Sequence, residues 1–425
     1  MPRFLKSAER APLATDPEIA KRVSEILLEV EKRGAAAVRE YSERFDRWSP
    51  GRFTLSEKEI ERASAAVPRE LRDHIDRAAE QIATFARAQR GTLTDLEIEP
   101  AAGVVLGHRL VPVSSVGAYS PGGRYPLIAS SLMTTVVPKV AGVERVIACA
   151  PPLSPEGIAP AMVYAMAIGG ADEILCIGGA HGLAALAFGI EETPAVDMVV
   201  GAGNAYVAEA KRQLFGTVGI DLLAGPTEIL VIADESADPG LIASDIADQL
   251  EHGPTSAGWL ISTSAELAER ALEAIEARIA ELPTHEVARE AWERYGEIAI
   301  CESIDEVVEL ADRLAPEHVE VHTQDPDAYL GRLRNYGSIF LGEQTTVPYG
   351  DKGIGTNHVL PTAGAARYTG GLWVGSFLKA LTYQRASEEG TRLTAPMIVA
   401  ICEAENLPGH ARSAQDRLDR LRLPS

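Results

Sequence analysis

The stretch Gly225–Pro254, GPTEILVIADESADPGLIASDIADQLEHGP, couples a strand to a helix that ends in polar, ligand-type side chains. Glu228–Ala233 is an apolar, β-branched run of strand length and Glu235–Gly240 reads as a turn. Leu241–His252 then carries apolar residues at helical spacing, with Gly253-Pro254 as the stop. Gln249 and His252 are i and i+3, which puts an amide oxygen and an imidazole on one face at the C-terminal end of a helix. Such a pair can hold one metal ion if other parts of the chain supply the remaining ligands. It can equally be a histidine complementing the helix dipole beside a solvated glutamine.

Working outward, the same texture extends in both directions. Between Val104 and Gly225, strands are expected at Arg145–Ala150, Glu173–Ile177, Val196–Val200 and Ile220–Leu223, with helices between them. A second series follows at Glu228–Ala233, Gly258–Thr263, Glu297–Cys301, His318–His322 and Ser338–Leu341. Strand-helix alternation at this pitch implies right-handed crossovers and mainly parallel pairing, so the fold class is α/β with two sheets. Asp16–Glu40 and Ser56–Arg90 carry apolar residues at helical spacing, giving a helical N-terminal region. From Leu372 onward the pattern again reads as helical and ends in the charged amphipathic run Ala411–Arg422.

A chain of 425 residues with 46% hydrophobic content is globular and long enough for two or more cores. A formal net charge of −21 without clustered Lys and Arg argues against a nucleic-acid surface. The N-terminus lacks an apolar core, and no apolar run approaches the ~20 residues needed to span a bilayer, so no membrane role and a cytoplasmic location are expected. Cys149, Cys176, Cys301 and Cys402 lie far apart and form no CxxC pair, which reads as buried free thiols.

Three polar features mark places for chemistry. Glycine-rich turns follow strands at Tyr119-Ser120-Pro121-Gly122-Gly123, Gly178-Gly179-Ala180-His181-Gly182 and Gly201-Ala202-Gly203-Asn204. Such turns let backbone N–H groups approach a pyrophosphate, although none is a full dinucleotide fingerprint, and ordinary strand-to-helix turns look the same. Glu317-His318 sets a carboxylate beside an imidazole at a strand entrance, where both can reach a cleft as separate acid-base groups. Tyr349–His358 is a long Gly-rich loop carrying Asp351, Asn357 and His358, of a length and polarity usual for functional loops.

Taken in order, VGAYSPGG, KVAGVERVI, GGAHGLAALAFG, VGAGNAYVAEAKR, GPTEILVIAD, SDIADQLEHGP, RLAPEHVEV, GSIFLG, GDKGIGTNHVLPT and AENLPGHA resemble the histidinol dehydrogenase family from about Ile19 to Arg422. The resemblance implies a zinc-dependent, NAD-linked enzyme that takes a primary alcohol through an aldehyde to a carboxylate, using two NAD+. It implies zinc ligands at Gln249, His252, Asp351 and His410, and a catalytic pair at Glu317 and His318. Cofactor contacts are implied at Tyr119, His181 and Asn204, and substrate contacts at Thr227, His358 and Glu405 as well as at the metal ligands and His318. It further implies two incomplete Rossmann-like domains with small helical terminal segments exchanged in a homodimer, so that Glu405 and His410 enter the neighbour's site. On that basis the chain divides into an arm at 1–20, a first α/β domain at 21–117 and 228–371, an NAD domain at 118–227 and an exchanged segment at 372–425.

The sequence departs from the family pattern at His181, Ala202, Thr227 and Lys352. The stretches Arg124–Ala129 and Arg367–Leu372 look closer to a branch similar to the sulfopropanediol dehydrogenases, which oxidise dihydroxypropanesulfonate. Three readings follow: histidinol oxidation, the same chemistry on an anionic diol, or a non-catalytic homologue that binds metal or nucleotide. The intact Glu317-His318 pair disfavours the last. Lys352 beside Asp351, with Arg124, favours an anionic substrate if these cations face it.

Overall fold

A computed structural model describes residues 2–9, 16–122, 125–190 and 193–422. Two parallel sheets carry the fold, as the strand-helix alternation implies. One has six strands in the order Arg3–Lys6, Gly296–Ile300, Ala257–Ser262, Glu228–Ala233, His318–His322 and Ser338–Leu341, all parallel except the first. The other has five parallel strands in the order Glu173–Cys176, Arg145–Ala150, Ser115–Tyr119, Met198–Val200 and Gly219–Ile220. The central strand Ser115–Tyr119 is fully buried, and the run ILVIA of Glu228–Ala233 is buried on both faces, which is why these strands read as continuous apolar runs rather than alternating ones.

The helices Pro17–Arg33 and Arg69–Gly91 present Val23, Ile26, Leu27 and Val30, and Ile75, Ile82 and Ala86, at helical spacing. Both sets enter clusters built on the five-stranded sheet. Residues 17–91 therefore pack with that sheet, whereas the domain division from sequence groups them with the six-stranded one. Chain order gives no hint of this, because the helices can reach either sheet. The N-terminal arm contributes Arg3–Lys6 as an antiparallel edge strand on Gly296–Ile300.

Two local expectations change. The helix in the opening stretch runs Pro239–Leu250, starting earlier because Asp238 caps it, accepting from the Gly240 N–H at 2.7 Å, with Pro239 at its first turn. It ends before His252, which lies in the turn beyond. The region after Leu372 is not purely helical. Leu378–Ala386 is a nine-residue strand that pairs antiparallel with Val104–Pro112, itself paired with Leu96–Ala101. Only then come the helices Glu388–Ala404 and Pro408–Arg420, which pack on each other. The strand is missed from sequence because its partner lies far upstream, so no local hairpin signal marks it.

All four cysteines are free and buried, and among the described residues no helix is long and apolar enough to cross a membrane.

Candidate active site

A cleft of about 1130 Å³ runs between the sheets. One end is lined by Tyr119, Gly179, His181, Gly203 and Asn204, and the other by Thr227, His252, Glu317 and His358. Clefts for single small ligands span roughly 300–1,000 Å³, so this one has room for a nucleotide and a second molecule.

The catalytic end is organised by the strand pairing of His318 with Ile229, which sets the entrance of His318–His322 beside Thr227 and Glu228. The Glu228 carbonyl accepts a hydrogen bond from His318 Nδ1 at 3.0 Å. A carbonyl can only accept, so the proton sits on Nδ1 and Nε2 keeps its lone pair. That Nε2 is buried without a hydrogen-bond partner and lies 3.9 Å from Asp351 Oδ1. Burial lowers the His318 pKa, with the Asp351 charge opposing, so the ring is a neutral base at pH 7.

Glu317 lies beside it, its Oε2 3.6 Å from His318 Nδ1. Its Oε2 accepts from Thr227 Oγ1 at 2.6 Å and from the Glu228 N–H at 3.0 Å. Burial pushes its pKa up to about 8, although both hydrogen bonds favour the anion. A carboxyl held there exchanges its proton near neutrality, as a group alternating between acid and base requires.

Gln249, in the last turn of the helix Pro239–Leu250, meets Thr227 beside Glu317, and His252, in the turn beyond, lines the same end of the cleft. Asp351 belongs to the short helix Val347–Lys352. Burial works against its anion, but His358, His318 and Lys352 outweigh this and hold the carboxyl below its ordinary value. Thr227 Oγ1 also lies 2.9 Å from Gln249 Oε1, so one hydroxyl with a single proton serves both side chains. Gln249 is thus buried within hydrogen-bond reach of the hydroxyl that also meets Glu317. His252 is accessible at the cleft surface, and the protein crowded around it lowers its pKa while Asp351 opposes. An amide oxygen, an imidazole and a carboxylate are a donor set of the kind that takes a divalent cation of the zinc type.

His358 is held at both nitrogens, donating from Nδ1 to the Asp351 carbonyl at 2.9 Å, with Ser130 Oγ 2.9 Å from Nε2. Lys352 Nζ bonds Asp351 Oδ2 at 3.3 Å, is 60% exposed, and lines a separate shallow depression with His74 and Arg77. Arg124 lies outside the described residues. Glu405 and His410 are exposed on the C-terminal helices and do not line this chain's cleft.

At the other end the three glycine turns are tied together. Tyr119 OH accepts from the Gly179 N–H at 3.1 Å. Gly201 has φ +112°, and a Cβ there would collide with the Tyr119 carbonyl oxygen. Asn204 caps the helix Ala205–Leu214, its Oδ1 accepting from the Tyr206 and Val207 N–H groups at 3.0 and 3.2 Å. His181 is buried, with Nε2 3.0 Å from Asp46 Oδ2, and the same carboxylate accepts from the Gly178 N–H at 3.2 Å. Asp46 and Ser130 carry no sequence signal, because each meets its partner only through tertiary packing.

A large cleft on parallel-strand ends, with a titrating carboxyl on its wall and a neutral imidazole buried next to that carboxyl, is the arrangement of an α/β enzyme with an acid-base pair beside a nucleotide-sized space. Residues 9–418 match the sequence model of the family described as histidinol dehydrogenase, and the chain belongs to that family of NAD-dependent oxidoreductases. It is 51% identical to a histidinol dehydrogenase homolog of Shouchella clausii over 95% of each chain. It is 45% identical to the sulfopropanediol 3-dehydrogenase of Ruegeria pomeroyi, covering 98% of this chain and 96% of that one. The crystal structure of histidinol dehydrogenase from Elizabethkingia anophelis superposes with a TM-score of 0.92 at 31% identity, covering 98% of this chain and 95% of that one.

Proposed function

We propose that the protein oxidises a small polar primary alcohol through its aldehyde to the carboxylate, reducing two NAD+. The observation that carries this is the bare, buried Nε2 of His318, fixed by the Nδ1 bond to Glu228 and set beside Glu317. His318 Nε2 takes the hydroxyl proton as hydride leaves the carbinol carbon. Glu317, stripped of its proton, activates water against the aldehyde, and the hydrate carries the second C–H to be oxidised. NAD+ supplies the hydride acceptor, with Tyr119, His181 and Asn204 forming the end of the cleft that receives it. Gln249, His252 and Asp351 would hold zinc, which polarises and anchors the polar end of the substrate. His410 and Glu405, exposed on this chain, would complete the site of a second protomer, with Thr227 and His358 positioning groups around the substrate.

For the substrate, an anionic diol is a second reading beside histidinol, favoured by the relative named sulfopropanediol 3-dehydrogenase. Lys352 supports it less than its sequence position suggests, because its ammonium leans on Asp351 and faces the shallow depression. The test is a panel of alcohols, histidinol and dihydroxypropanesulfonate included, scored for NADH formed per substrate consumed. Two NADH per molecule for one of them is expected. A ratio of one for every alcohol oxidised would overturn the two-step reading, and no NADH from any would favour the non-catalytic one.

A further inference from the structure

The strand His318–His322 divides its side chains by face. Val319 and Val321 enter an apolar cluster with Leu230 and Ile232. His318, Glu320 and His322 share the opposite face, paired with Ile229, Val231 and Ala233, against which the helix Pro239–Leu250 packs. On that helix Asp245 sits one turn before Gln249. Asp245, Glu320 and His322 therefore converge on one point behind the active site, with ligand atoms all within 4.8 Å of one another.

Glu320 is 0% and His322 1% exposed, and the Asp245 side chain, 13% exposed, closes the cluster toward the surface. Two of its oxygens are satisfied: Glu320 Oε1 accepts from the Val347 N–H at 2.7 Å and Asp245 Oδ1 from Thr346 Oγ1 at 2.9 Å. Glu320 Oε2 and both ring nitrogens of His322 have no hydrogen-bond partner. His322 Nε2 lies 3.4 Å from Glu320 Oε2 and 3.7 Å from Asp245 Oδ2.

Two carboxylates buried with one imidazole are costly unless their charge is balanced. Protonation is one relief, since burial, the Glu320 charge and a hydrogen bond that a protonated Asp245 gives Glu320 push the Asp245 pKa up to about 8. A proton on Asp245 leaves the His322 nitrogens without partners. A divalent cation relieves both problems, since its charge cancels two carboxylates beside a neutral imidazole. Donors bound to one ion at ~2.1 Å in tetrahedral geometry lie roughly 3.4 Å from each other, close to the separations seen here.

We propose that Asp245, Glu320 and His322 form a second divalent-cation site, distinct from the one at Gln249, His252 and Asp351. An imidazole with two carboxylates suits zinc, manganese or cobalt better than magnesium or calcium. His318 and His322 are four residues apart on a strand, about 13 Å, so the two ions do not form a bridged pair. The second ion has a positioning task. Thr346 and Val347 lead into the short helix that carries Asp351, and the cluster ties that entry to the strand that carries His318.

The test is metal stoichiometry, independent of turnover. Full-length protein is stripped with chelator, refilled with Zn2+, freed of loosely held ions by gel filtration, and its zinc measured per chain. Wild type should hold two equivalents, and the Asp245→Asn/His322→Gln and His252→Ala/Asp351→Ala variants one each. Because the first double variant changes buried groups, the second provides an independent arm: one equivalent retained there supports the inner site, and none overturns it. Wild-type stoichiometry in a folded Asp245→Asn/His322→Gln protein also overturns it. If wild type holds one equivalent that survives only in His252→Ala/Asp351→Ala, the inner site stands and the proposed active-site zinc falls.

Discussion

At the scale of single residues, the two members of the Glu317-His318 pair are adjacent in sequence but differ in partners. His318 is fixed as a neutral base by the Glu228 carbonyl, whereas Glu317 is fixed by donors that favour its anion. Glu317→Gln is expected to keep appreciable alcohol oxidation while slowing aldehyde oxidation by about 10²-fold or more, the usual size of an acid-base contribution. His318→Asn should slow the alcohol step. Supplying alcohol and aldehyde separately checks both, and equal loss of the two steps in Glu317→Gln would refute the division. Thr227 extends the argument, because its hydroxyl donates to Glu317 at 2.6 Å. A hydrogen bond to a charged group contributes about 1.5–3 kcal/mol, equivalent to roughly one to two pKa units. Thr227→Val should therefore slow aldehyde oxidation at neutral pH by about tenfold or more, while Thr227→Ser stays near wild type. Unchanged rates in Thr227→Val would remove Thr227 from the mechanism.

At the scale of elements, the turn Gly201–Asn204 is held by a buried ion pair that motif reading passes over. Lys211 and Asp221 pair with side chains only 2% and 1% exposed. Lys211 Nζ also donates to the Gly201 carbonyl at 2.8 Å, and Asp221 Oδ2 accepts from the Gly201 N–H at 2.7 Å. Removing one partner strands a charge in the core, which costs about 3–5 kcal/mol, so Lys211→Met should lower the denaturation midpoint sharply. The double variant Lys211→Met/Asp221→Asn should recover part of the loss, and chemical denaturation of both checks it. Gly201→Ala attacks the same turn through the backbone, since its positive φ and contact with the Tyr119 carbonyl exclude a Cβ. A loss of about 1–3 kcal/mol together with a raised KM for NAD+ is expected, and an unchanged KM would separate this turn from cofactor binding.

At the scale of the whole molecule, the outlying sheet of Leu96–Ala101, Val104–Pro112 and Leu378–Ala386 carries two helices whose apolar side chains face solvent. Leu393 and Met397 are 58% and 56% exposed, and Leu381 and Ile401 are similarly bare. A surface of this kind is suited to burial against a second copy. His410 sits on the same unit, away from the cleft of its own chain. Co-refolding inactive His410→Ala protein with inactive His252→Ala protein should restore activity, because one site of each heterodimer has all its ligands. About a quarter of the sites are intact under random pairing. No recovery in proven heterodimers would place the whole site within one chain.

The sequence by itself determined the two parallel sheets, because buried strands separated by amphipathic helices leave a periodic trace in the chain. It also marked the candidate site groups, because glycine turns, the Glu-His pair and the polar helix end are local features. Tertiary structure alone decided which sheet the N-terminal helices cover, since an apolar helix face does not name its partner. It decided that Leu378–Ala386 is a strand, whose pairing depends on residues far upstream. It also decided what Lys352 and Glu320 do. The chain leaves open where Lys352 faces, and the fold leans it on Asp351, while Glu320 reads as one polar residue in a strand and meets Asp245 and His322 in a largely buried cluster. Charge and burial depend on what arrives from distant parts of the chain, and local pattern carries no record of those arrivals.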